Sequence, residues 1–214
     1  FRFLMTHAPS TLRLLDNDGN SVLHLIALYG YESLITEVLT SEPTLFTTHN
    51  KHSHYPVHTA ILNHQTECLR VMLEINGVET LTDASGETAL HYAARYGSKN
   101  IIESCCQKFT NVDLCDLQGR TPLMLAAETG NIEAMEVLIK HKADPNLIDL
   151  DHNTLLHHAV MFEGNDTVEW ILTHTSVEVN AQNYNKQTAL QICKSFGQTE
   201  KVLLLIEHGA NAST

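Results

Sequence analysis

The 214-residue chain predicts an all-α repeat solenoid: stacked helix-turn-helix units joined by short β-hairpin or turn fingers. Three observations carry that expectation. An Asp or Asn recurs at Asp16, Asn50, Asp83, Asp116, Asp149 and Asn183, at intervals of 34, 33, 33, 33 and 34 residues. Seven residues after each stands Leu23, Val57, Leu90, Leu123, Leu156 or Leu190, and fourteen after stands Gly30, His64, Gly97, Gly130, Glu163 or Gly197. At offsets 22 and 23 fall the pairs Val38–Leu39, Met72–Leu73, Cys105–Cys106, Leu138–Ile139, Ile171–Leu172 and Leu205–Ile206. Self-similarity at a fixed period of this size marks a stacked array, not one compact domain.

The period divides a single domain, 1–214, into repeats 16–49, 50–82, 83–115, 116–148, 149–182 and 183–214, with 1–15 as the end of a preceding unit. The clearest copy explains the rest. Asp116-Leu117-Gln118-Gly119 has Asp first and Gly fourth, the preferences of a tight turn. Thr121 then offers an N-cap hydroxyl and Pro122 suits the first helical position. Leu123, Ala126 and Ala127 share one face of a short helix, and Gly130 supplies its left-handed stop. A second helix carries Ala134, Met135, Leu138 and Ile139 on one stripe, and Ala143-Asp144-Pro145-Asn146 breaks it. Two such short helices cannot bury their faces alone, so stability comes from stacking.

Composition narrows function. Thirteen Lys and Arg against 25 Asp and Glu give a net charge of −12, which opposes a phosphate-tracking surface and hence nucleic-acid binding. The chain has no apolar run long enough to insert in a membrane, and no signal-peptide pattern opens it. Five Cys without a Cys-x-x-Cys pair point away from a disulfide scaffold or zinc module, and toward a reducing, cytoplasmic setting.

The segments Asp116-Leu-Gln-Gly-Arg-Thr-Pro-Leu-Met-Leu-Ala-Ala-Glu-Thr-Gly-Asn and Asp83-Ala-Ser-Gly-Glu-Thr-Ala-Leu-His-Tyr-Ala-Ala-Arg-Tyr-Gly closely resemble ankyrin repeats. The resemblance covers essentially the whole chain in six full units. It weakens in repeat two, with Ser53 at the turn tip and Tyr55 for Ser/Thr, and in repeat five, with His152 at the tip and Glu163 at the stop. Local backbone irregularity is expected there, and earlier opening of repeats two and five than of three and four. Leu4 and Met5 fall where a preceding unit would place its second-helix pair. With no polar cap at either end, the chain reads as a piece of a longer protein.

Fourteen His invite a metal or catalytic reading. The resemblance instead implies that His24, His58, His91 and His157, all at offset 8, bond locally and brace neighbouring turns. His49, His52 and His54 lie near a finger tip without a Cys or carboxylate beside them, so no metal or cofactor is assigned. Cys68, Cys105, Cys106 and Cys193 occupy core offsets, Cys115 alone lies in a loop, and no catalytic residue is assigned.

Ankyrin-like stacks place finger tips and first-helix ends on a concave, partner-binding side. Candidate contacts there are Tyr29, Tyr96, Phe162 and Phe196 at offset 13, Arg95 and Met161 at offset 12, and Leu117 and Tyr184 at finger tips. A ring at offset 13 has the alternative of packing on the next repeat. The same resemblance makes Asn146 and Asn180 candidates for asparaginyl hydroxylation, since each follows the Leu-x5-Asp/Glu-x-Asn loop pattern.

The sequence is therefore read as a monomeric, non-enzymatic protein-interaction module whose partner carries a basic patch. The alternative is a regulatory or targeting segment of a larger enzyme, channel or effector. Asp16-Asn-Asp-Gly-Asn-Ser-Val-Leu-His-Leu resembles the opening unit of inhibitor-of-kappa-B-type proteins, and Tyr55-Pro-Val-His-Thr-Ala resembles one unit of an ankyrin-bearing phospholipase.

Overall fold

A computed structural model describes residues 9–162 and 164–212. Leu4 and Met5, and Glu163 at the stop of repeat five, lie outside the described residues. Six helix pairs follow the predicted period. They are α1 (Val22–Tyr29) with α2 (Ile35–Ser41), α3 (Pro56–Leu62) with α4 (Thr66–Leu73), and α5 (Ala89–Tyr96) with α6 (Lys99–Lys108). Then come α7 (Pro122–Thr129) with α8 (Ile132–Lys140), α9 (Leu155–Met161) with α10 (Asp166–His174), and α11 (Ala189–Ser195) with α12 (Thr199–Glu207). The chain divides into two compact units, Phe1–Phe109 and Thr110–Thr214, each holding three of these pairs.

The periodic apolar positions form the core in both units. The offset-7 residue is buried in all six repeats, and so is the first member of each offset-22 pair. Each buried aliphatic side chain contributes about 1.5–3 kcal/mol of transfer free energy, which two short helices could not gather without neighbours. Cys68, Cys105, Cys106 and Cys193 sit in this core, where burial holds their thiols above the usual range; Cys68 and Cys193 are pushed up to about 11 and Cys106 to about 12.

The fingers are hydrogen-bonded turns; among the described residues the expected hairpin is reduced to one isolated antiparallel bridge, Thr82 to Thr88. The recurrent Asp or Asn explains why no strand is needed. In every repeat its Oδ1 accepts the backbone N–H groups two and four residues on, for example Gln118 and Arg120 onto Asp116 at 2.8 Å each. A side-chain carbonyl thus replaces a partner strand. Asn is used at Asn50 and Asn183 because its Nδ2 also donates to the preceding finger, to Asn20 Oδ1 at 2.8 Å and Asn153 Oδ1 at 3.0 Å.

Backbone irregularity at the divergent tips does not occur. Ser53 and His152 take φ of 61° and 60°, the same left-handed conformation as Gly19, Gly86 and Gly119, and so does Lys186 in repeat six. The Asx bonds and the tip N–H to Asx C=O bond close the loop whatever the residue, at a local cost of about 1–2 kcal/mol for a non-Gly side chain. At offset 14 Gly30, His64, Gly130 and Gly197 take the expected left-handed conformation, and Gly97 departs from it. Gly97 has φ of −79°, so it is no left-handed stop. Glycine is required there because a Cβ would come within 2.5 Å of Ala93 O and 2.8 Å of Ile101 Cγ2.

Candidate partner-binding surface

The offset-8 histidines couple a helix start to the next finger. Nδ1 of His24 accepts the Ser21 N–H at 3.2 Å, which fixes the tautomer and leaves Nε2–H to donate to His54 O at 2.9 Å. His157 repeats this with the Thr154 N–H at 3.2 Å and Gln187 O at 2.9 Å. Burial lowers the basicity of both rings, so they hold these bonds as neutral groups. His91 caps its helix in the same way through Thr88 N–H at 3.1 Å.

His58 differs. It caps Tyr55 N–H through Nδ1 at 3.3 Å, but its buried Nε2 has no hydrogen-bond partner among the described residues. Its ring stacks on Tyr92, 4.5 Å between centroids, and the Tyr92 hydroxyl donates to Asp83 Oδ2 at 2.8 Å. Burial pushes His58 down to about 3. Fingers one and two are joined by Lys51 N–H to Asp18 O at 2.9 Å, whereas among the described residues Ala84 in finger three makes no corresponding backbone bond. The rings of His54, His58 and Tyr92 pack across that seam.

His49, His52 and His54 form no converging ligand set. His49 Nδ1 bonds Asn50 O at 3.0 Å, the His52 and His54 rings lie 5.9 Å apart, and His54 turns its edge to Tyr92 at 5.5 Å. Among the described residues no group of three His, Cys, Asp or Glu is placed to hold a metal ion. Cys115 is the exposed thiol, and burial, with Asp116 and Asp113 near it, raises rather than lowers its pKa. That is the opposite of nucleophile activation.

The partner-contact candidates divide into three groups. In the first unit Tyr29 and Tyr96 are exposed, and Tyr29 lies near Tyr31, 6.3 Å between rings. Arg95 is mostly buried; it pairs with Glu87 at 2.9 Å and lies 5.9 Å from the Tyr96 ring centre. It positions the ring more than it offers a free charge. In the second unit Met161 and Phe196 are exposed, while Phe162 is half-buried. A Cβ on Gly130 would stand 2.3 Å from Phe162 Cε1, so that glycine makes room for the ring, which packs on the neighbouring repeat.

The third group lies on the fingers. Leu117 and Tyr184 are 70% and 66% exposed, and Leu150, at the same position of the intervening finger, is 66% exposed. Leu150 escaped the sequence reading, although an apolar residue at offset 1 in three consecutive repeats was the available signal. Backbone bonds of 2.9 Å, Leu150 N–H to Gln118 O and Tyr184 N–H to Asp151 O, join the three fingers into one row. Asn146 is exposed, whereas Asn180 is engaged at both ends of its amide, to Gly209 O at 3.1 Å and Asn211 N–H at 2.8 Å.

A family model of ankyrin repeats in three copies matches residues 23–108, 58–149, 101–183 and 146–214. The B-cell lymphoma 3 protein homolog of Mus musculus is 25% identical over 209 residues, covering 92% of this chain and 46% of that protein. The nuclear factor NF-kappa-B p105 subunit of Gallus gallus is 25% identical over 205 residues, with 92% and 21% covered. The chain thus spans less than half the length of these relatives. The crystal structure of the Bcl-3 ankyrin repeat domain superposes with a TM-score of 0.77 at 24% identity, covering 92% of this chain and 90% of that one, and supports the fold. Such domains are generally non-catalytic protein-interaction modules, and by the family match this chain belongs to the ankyrin repeat family.

Proposed function

We propose that the chain binds a protein partner on the face made by its finger tips and first-helix ends, and that it performs no chemistry of its own. The observation that carries this reading is the row Leu117, Leu150 and Tyr184, with Met161 and Phe196 also exposed in the same unit. Large apolar side chains left in water together are the type that anchors an interface. The net charge of −12 supports a partner with a basic patch, whose approach it would steer. Five free thiols, four of them buried, support a reducing cytoplasmic setting. Crosslinking coupled to mass spectrometry tests the reading. Contacts should map to fingers and first-helix ends and should weaken in Met161→Ala, Phe196→Ala and Leu117→Ala; contacts confined to the second helices would refute it.

Because the chain spans less than half of its curated relatives, the module serves, in a second reading, as the regulatory or targeting part of a larger protein. The full reading frame decides that. Of the two asparagines, exposure favours Asn146 as the hydroxylation site. Incubation with an asparaginyl hydroxylase should add one oxygen to the peptide containing Asn146 and leave the Asn180 peptide unchanged.

A further inference from the structure

We infer that the finger row of the second unit takes one form of ligand: an extended basic segment in the polyproline II conformation with an apolar side chain at every third residue. The inference rests on the protein-binding reading above and adds the shape and charge of what is bound. Leu117, Leu150 and Tyr184 occupy one position on consecutive fingers, which in the first unit is Asn17, Lys51 and Ala84. The apolar row is therefore confined to repeats four to six. Inter-finger backbone bonds fix its spacing, and the Tyr184 ring rests against His152, 4.3 Å between centroids. Anchors held in this way lose little entropy when a ligand meets them.

Spacing selects the ligand's conformation. Helices α7, α9 and α11 pack side by side, so successive fingers stand about 8–10 Å apart, the usual interaxial distance. A polyproline II segment returns to the same side every three residues, about 9.3 Å along its axis, and fits both intervals. A β-strand repeats its face at about 6.7 Å and misses the second anchor. An α-helix repeats at seven residues, about 10.5 Å, and drifts out of step by the third.

Charge selects its flanks. From Thr110 to Thr214 there are 14 Asp and Glu against six Lys and Arg, so this unit carries −8 of the chain's −12. Asp151 is exposed beside Leu150, while Arg120 is committed to Asp116 at 2.8 Å and Glu128 at 3.5 Å. Lys186 is the cation on the last finger.

The test uses the full chain and fluorescein-labelled peptides, read by anisotropy. The probe is five Leu-Pro-Arg triplets. One comparator permutes the same 15 residues so that no two Leu stand three positions apart, and another has Glu in place of Arg. The triplet probe should bind, more tightly at low salt, and both comparators should bind at least roughly tenfold more weakly. Leu150→Asp should weaken the probe by a similar factor with an unchanged circular dichroism spectrum, and Asn17→Asp should leave it unaffected. Equal binding of the re-spaced peptide, no effect of Leu150→Asp, or no binding of the probe overturns the inference. The broader reading fails separately, if Leu150→Asp and Phe196→Ala leave the crosslinks to a protein partner intact.

Discussion

Acidification tests the seam at His58. Its ring is buried neutral, with a pKa of about 3 against 6.5 for the free side chain, and burial is the principal cause. Asp83 opposes that shift, and His54, His24 and His91 add to it. The unfolded chain therefore binds a proton below pH 6.5 that the folded chain refuses down to pH 3. Stability falls as pH drops through that window and levels off below it. Well below pH 6.5 each pH unit is worth about 1.4 kcal/mol per such group, so lowering pH from 6.5 to 4.5 should cost about 2 kcal/mol through His58 alone. His24, His54 and His157 are shifted in the same direction and add to the slope. The informative variant is His58→Gln, because repeat six already uses Gln191 at this position and its Oε1 accepts the Thr188 N–H at 2.8 Å. Capping is kept and the titration removed. Urea melts by circular dichroism at pH 7.5, 6.0 and 4.5, with Trp170 fluorescence following the second unit separately, should give a shallower pH slope in the variant. Equal slopes for the two proteins would refute the reasoning.

Three further outcomes are expected. Lys201 is 1% exposed, and its ammonium donates to Val160 O at 3.2 Å and to Phe162 O, at the C-terminal end of α9. Lys201→Met should leave these carbonyls unsatisfied and destabilise the second unit by about 2–4 kcal/mol, read from Trp170 fluorescence in urea; an unchanged midpoint would show that the bonds contribute nothing. Gly130→Ala places a methyl group against Phe162 at a φ of 71°, and should cost about 2–4 kcal/mol by the same measurement. Finally, a thiol reagent should modify Cys115 rapidly in the native protein and the remaining four cysteines only in denaturant; fast labelling at Cys68 or Cys193 would contradict their burial.

The array was legible in the sequence because each repeat obeys local rules that need no knowledge of the neighbour. Asp116 accepts bonds within its own loop, Thr121 caps its own helix through the Met124 N–H at 3.4 Å, and apolar residues fall on one face of each helix. The core cysteines were legible for the same reason, since their offsets match buried aliphatic positions. What the sequence left open depended on the adjacent repeat. Phe162 and Phe196 share an offset, yet Phe162 lies in the space left by Gly130 and Phe196 stands in water. His58 and His24 share an offset, yet only His24 finds a carbonyl, because Tyr92 from the next repeat covers the His58 ring. By itself, then, the sequence determined the period, the helix pairs and the identity of the core. The tertiary structure decided which repeated side chains are spent on packing and which remain to meet a partner, since exposure is a property of what lies across the seam.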